Sequence, residues 1–116
     1  ATPAFENNGI QAVQGLHDFA DAGRGTITGN RYDNGKFKVP TLRNIAQTAP
    51  YMHDGRFKTL DEVLDHYASG GHFADNLSPN VRQLRLGERD KQDLIAFLHT
   101  LTDSVLLNNP AFANPF

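Results

Sequence analysis

The 116-residue sequence contains no cysteine. That excludes disulfides, a thiol nucleophile, iron–sulfur ligation, Cys-type zinc sites and covalent attachment of a haem within this chain. It leaves the compartment open, because absence of cysteine fits either side of a membrane. No apolar run approaches the roughly 20 residues that span a bilayer, so no membrane span is expected. Charge of one sign is also lacking: 11 Lys+Arg stand against 13 Asp+Glu. A near-neutral chain carries no electrostatic footprint for nucleic acid. What remains is an ordinary soluble mixture, 39% hydrophobic and 21% charged, large enough for one domain with a core of its own.

The chain opens at Ala1 on polar sequence, with neither a Met nor a signal-peptide pattern, and reads as the middle of something larger. Six of its ten glycines fall in the first forty residues, where helical periodicity is scant. An extended, loop-rich segment laid over a surface is expected there. The end, from Leu107 to Phe116, also lacks periodicity, and its two phenylalanines, Phe112 and Phe116, are expected to be pinned to another surface.

Three stretches have helical character. Residues 42–47 follow a plausible Thr41 cap and end before Pro50. The clearest helix starts at Thr59, which has capping-box spacing to Glu62. Leu60, Val63, Leu64 and Tyr67 then form one apolar stripe, and Gly70-Gly71 supplies a left-handed stop. A third helix spans residues 88–101 with a stripe of Leu94, Phe97, Leu98 and Leu101. Glu88 and Asp90 in its first turn suit the macrodipole. Ser78-Pro79 suits one further helical turn. No stretch alternates over four or more residues, so the expected fold is all-α, with two main helices and long ordered loops. Two helices close a poor core for this length, and a cofactor or another segment is expected to complete it.

The most unusual stretch runs from Phe37 to Phe57. Its segments Phe37-Lys38-Val39-Pro40-Thr41-Leu42-Arg43-Asn44 and Thr48-Ala49-Pro50-Tyr51-Met52-His53-Asp54-Gly55, followed by Thr59-Leu60-Asp61-Glu62-Val63-Leu64-Asp65-His66-Tyr67, resemble the C-terminal half of bacterial dihaem cytochrome c peroxidases, a group that includes MauG-like enzymes. Phe5-Glu6-Asn7-Asn8-Gly9, Asp21-Ala22-Gly23-Arg24-Gly25 and Leu98-His99-Thr100-Leu101-Thr102-Asp103 extend the resemblance, in order, over nearly the whole chain.

The resemblance implies a parent with two c-type haems, each on a Cys-x-x-Cys-His motif in its own cytochrome c-like domain, and a calcium ion between the domains. Such a parent takes electrons from a small redox protein and reduces hydrogen peroxide. It is periplasmic, and a homodimer is compatible with it. Residues 1–116 correspond to the C-terminal part of the second domain, without its attachment motif. The family's peroxidatic residues, including its acid–base Glu, lie upstream. The chain is therefore expected to be an inactive fragment that adjoins the N-terminal haem domain of its parent and contains no catalytic residue.

The distal ligand of the second haem falls on Tyr67, where classical members have Met and the MauG-like branch has Tyr. A phenolate favours ferric iron and lowers the potential, whereas a thioether raises it. From periodicity alone, Tyr67 reads as a core aromatic with a wet hydroxyl; its place as a ligand comes from the resemblance. Met52 is the rival ligand, and its other reading is a gap-filling core residue. His53 matches a family His near the second haem, suited to a propionate or water, and it also suits capping of the Asp54-Gly55 turn. Arg43 and Asn44 are candidates for propionate or interdomain hydrogen bonds, or for holding their loop. Thr48 and Pro50 lie on the segment whose backbone carbonyls bind the family's calcium. His66 is expected to pair with Glu62, and His17, His72 and His99 to face solvent.

Two readings from other classes remain open. One is a haem-free structural or protein-interaction module built on the same scaffold. The other is a small hydrolase or metal enzyme built on His53 and Asp54, although the sequence has neither a nucleophile elbow nor a zinc-type His pair. Two Cys-x-x-Cys-His motifs preceding Ala1 in the full-length sequence would favour the haem protein.

Overall fold

The computed structural model describes residues 4–112. Its elements in chain order are β1 (Phe5–Glu6), α1 (Arg24–Thr28), β2 (Phe37–Lys38), α2 (Leu60–Ser69), α3 (Glu88–His99) and α4 (Ser104–Leu107), with short 3-10 turns at Arg31–Asp33, Ile45–Gln47 and Pro110–Phe112. The expected anchoring of Phe116 and of the Phe112 side chain lies outside the described residues.

The all-α expectation is corrected. β1 and β2 pair antiparallel, Phe5 opposite Lys38 and Glu6 opposite Phe37. Isolated bridges join Asn7 to Leu77, Gly23 to Lys36 and Tyr51 to Phe57. Among the described residues the fold is mixed, with four helices, a small sheet and long loops. Two-residue strands are too short for a period of two to show in the sequence. Their pairing comes from distant segments meeting.

α2 forms as expected. The Thr59 hydroxyl accepts the Glu62 N–H at 3.2 Å, and Gly70, at φ 87°, returns its N–H to the Tyr67 carbonyl. Leu60 is buried, and Val63, Leu64 and Tyr67 are half-buried. α3 differs in its facing. Leu94 and Phe97 are 39% and 56% exposed, while Lys91 is buried and Ile95 and Leu98 are half-buried. The inward face is thus Lys91, Ile95 and Leu98, and among the described residues much of the apolar stripe is exposed. Residues 42–47 do not make a helix. Asn44 is left-handed at φ 61°, which breaks the turn, and only Ile45–Gln47 close a 3-10 turn. At Ser78-Pro79 the chain makes a single turn, Val81 N–H to Ser78 carbonyl at 3.0 Å. α4 escaped the sequence patterning. Its signal is Asp103, whose carboxylate accepts the Leu106 N–H at 3.0 Å.

The glycine-rich first forty residues are held by polar contacts. Buried Asn7 donates to Asn76 Oδ1 at 2.9 Å and accepts the Gly9 N–H. Asn76 donates on to the carbonyls of Tyr32 and Asn34. Apolar burial is thin. Leu16, Tyr51, Leu60 and Ala74 are the buried hydrophobics among the described residues, and no large side chain there is fully buried. The radius of gyration is 16.1 Å, against about 13 Å for a compact chain of this length.

Candidate functional site

Tyr67 stands on the inward stripe of α2. Burial pushes its phenol above the usual value, with no charge or hydrogen bond as a second cause. It meets the His66 ring edge-on at 5.3 Å, and His66 is tilted against Phe57 at the same distance. His66 does not pair with Glu62. Its Nε2 lies 2.7 Å from the Asn8 carbonyl, because the loop-rich segment passes over this face of α2.

The loop 51–57 is anchored by Tyr51, whose hydroxyl donates to the Ile45 carbonyl at 2.8 Å and whose backbone pairs with Phe57. Met52 is half-buried and left-handed at φ 71°. His53 neither caps its turn nor pairs with Asp54. Its Nε2 lies 2.8 Å from Asp21 Oδ2, and its ring stacks on Phe37 at 3.6 Å and 17°. The Gly23 N–H, and after it His53, hold the Asp21 carboxyl below the usual carboxylate range. Asp54 pairs instead with Arg56, Nη2 to Oδ2 at 2.7 Å, and that guanidinium also donates to the Ile10 carbonyl. The His53–Asp54 unit of the hydrolase reading is thus not assembled.

These residues line a cleft of about 430 Å³ whose walls include Phe19, Asp21, Phe37, His53 and Arg56. Neither Tyr67 nor Met52 is among its lining residues. The expected site residues therefore fall in separate places: Tyr67 on α2, His53 at the cleft, and a third group on the turn before it. In that third group Arg43, Thr48 and Pro50 are exposed and Asn44 is buried. The Arg43 N–H donates to Thr41 Oγ1 at 3.2 Å, and the Thr48 hydroxyl donates to the Ile45 carbonyl. The carbonyls of Thr48 and Pro50 accept none of the hydrogen bonds found among the described residues. Among those residues no group of three or more His, Cys, Asp or Glu side chains could hold a metal ion, and no helix is long and apolar enough to cross a membrane. His17, His72 and His99 are exposed, as expected.

Sequence reading missed Asp21 as the partner of His53, because 32 residues separate them. It also missed Lys91, which in a helix rich in charged residues gives no signal of burial.

Among the described residues the α3 stripe is largely exposed and the core is thin. The chain belongs to the family of MauG and the bacterial cytochrome c peroxidases. No protein-family model matches it. It is 42% identical to the methylamine utilization protein MauG of Methylorubrum extorquens over 92 residues, 75% of this chain and 25% of that protein. It is 41% identical to the cytochrome-c peroxidase IdrP2 of Pseudomonas sp. strain SCT over 121 aligned residues, 93% of this chain and 32% of that protein. A solved crystal structure of a MauG-like protein associated with microbial copper homeostasis superposes on 99% of this chain and 39% of that one, with a TM-score of 0.88 at 39% identity. The chain spans about a quarter of the curated relatives' length, consistent with a C-terminal portion.

Proposed function

We propose that the chain is the C-terminal part of the second cytochrome c-like domain of a periplasmic, MauG-like dihaem peroxidase. In this reading the parent reduces hydrogen peroxide with electrons from a small redox protein, delivered through c-type haems. This region supplies Tyr67 as distal ligand of the second haem and the Thr48 and Pro50 carbonyls as half of an interdomain calcium site.

The observation that carries the reading is Tyr67 itself, an inward-facing phenol without a charged partner, on a helix whose surroundings lack a closed core. The residues fit a haem. Tyr67 shares the apolar stripe of α2 with half-buried Val63 and Leu64, and a phenol held neutral by burial becomes a ligand when a metal cation takes its proton's place. Bound there, the haem supplies one-electron chemistry. The protein's part is to present the phenolate oxygen, keep water from it and set the potential through it. The carbonyls of Thr48 and Pro50, on exposed residues, are oxygen donors suited to a hard cation; the remaining ligands come from the other domain. With no cysteine in this chain, the haem is attached upstream, and the peroxidatic centre lies there too.

The test is Tyr67→Met in the full-length protein. The second haem is expected to move to a higher potential and to lose its phenolate spectrum. An unchanged potential and spectrum of that haem would rule Tyr67 out as ligand, and a full-length protein without Soret absorption would favour the haem-free module.

A further inference from the structure

Among the described residues Lys91 is the buried cation, its side chain 9% exposed. Its ammonium donates to Asp65 Oδ1 at 2.8 Å and lies 3.2 Å from Glu88 Oε1 and 3.8 Å from Asp61 Oδ1. Asp65, then Glu88, hold the ammonium above its usual pKa. Glu88 is one turn back on α3, whereas Asp61 and Asp65 sit four residues apart on α2, on one face. The ion pairs found between α2 and α3 among the described residues all run through this one nitrogen. On another face, α2 is held by His66 against the Asn8 carbonyl.

An apolar side chain would continue the Ile95–Leu98 face of α3 and avoid the cost of burying a charge. It would lack direction, and it would leave the carboxylates of Asp61 and Asp65 to repel one another. The ammonium instead ties α2 at two levels one turn apart, which sets both its rotation and its height against α3. Tyr67 lies two residues beyond Asp65, about 200° around the helix at 100° per residue. Its direction is therefore coupled to that tie through a rigid helical turn.

We propose that Lys91 is a positioning residue for Tyr67, setting the angle at which α2 presents the phenol oxygen. This rests on the reading of Tyr67 as the haem ligand. The test uses the full-length holoprotein and compares Lys91→Met, Lys91→Arg and Tyr67→Phe by the visible charge-transfer band of ferric phenolate, by its resonance Raman modes and by the midpoint potential of that haem. Tyr67→Phe is expected to abolish the phenolate signature. Lys91→Met is expected to weaken or split it and to shift the potential, and Lys91→Arg, which keeps the charge, to restore it.

If Tyr67→Phe changes nothing, the ligand reading fails and this inference with it. If Tyr67→Phe abolishes the signature while Lys91→Met leaves signature and potential as in the wild type, the positioning role alone is overturned. Should Lys91→Met not accumulate as folded protein, Asp65→Asn removes the closest partner and leaves the ammonium to Glu88 and Asp61. The same weakening or splitting is expected of it, and a wild-type signature overturns the role.

Discussion

The side-chain oxygen of Asn44 accepts the backbone N–H of Asp103, 59 residues further along the chain. The Asn44 N–H donates to the Leu101 carbonyl at 3.0 Å. These two bonds clamp the turn bearing Arg43, Thr48 and Pro50 onto the end of α3 and the cap of α4. Asn44 is buried and left-handed, a conformation that Asn tolerates better than most residues.

Asn44→Ala should therefore cost about 1–3 kcal/mol, from an orphaned N–H on Asp103 and an Ala forced into the left-handed region. Asn44→Gly loses the same bond but relieves the backbone, and should be the milder variant. Denaturant unfolding of the full-length protein reads both midpoints. Equal losses would mean that the left-handed backbone contributes nothing.

Gly9 lies at φ 66°, and an added Cβ would stand 2.8 and 2.9 Å from the backbone oxygen and nitrogen of His72. Those atoms are fixed by the bond from the His72 N–H to the Gly9 carbonyl at 2.7 Å. Gly9→Ala should cost at least about 1–3 kcal/mol and loosen the segment beside Asn8, the partner of His66. Hydrogen exchange at the His72 amide should rise, and unchanged protection there would count against the close approach.

Asp21 has a folded-state pKa below its unfolded value. Its stabilising contribution is thus fully present above about pH 4, and it is lost as pH falls through the lowered value. Asp21→Asn should melt below the wild type at about pH 6, and the gap should narrow as pH falls below about 4. A difference that stays constant over that range would show that the Asp21 charge is irrelevant.

The chain has no thiol to form a thioether bond. Produced alongside haem and the cytochrome c maturation machinery, it should keep the mass of the bare 12.8 kDa polypeptide. A covalent haem adduct on it would overturn this.

The contrast between α2 and the Asp21–His53 pair marks how much was legible. For α2, the cap, the stripe and the glycine stop are all local. Each acts within four residues, and the helix starts and ends where Thr59 and Gly70 place it. For the pair, Asp21 sits in a glycine turn and His53 in a loop, and neither position carries a periodic signal. Only the path of the chain, with Gly23 pressed against Lys36 and Phe37, brings them to 2.8 Å. α3 falls between these cases. Its helical character was plain, but the stripe misled about its facing, because hydrophobic spacing shows which side is apolar and not what covers it.

By itself the sequence determined α2 and the body of α3, the lack of a thiol for a thioether bond to haem, and the ordered motifs that mark the family. These depend on residue type and short-range spacing. The tertiary structure alone decided that Phe5–Glu6 pairs with Phe37–Lys38, that Asn44 clamps Asp103, that His53 meets Asp21 rather than Asp54, and that Lys91 is buried among carboxylates of two helices. Each of these joins residues far apart in the chain. Their meeting is set by how the loops close over the helices, and closure of that kind leaves no periodic trace in the sequence.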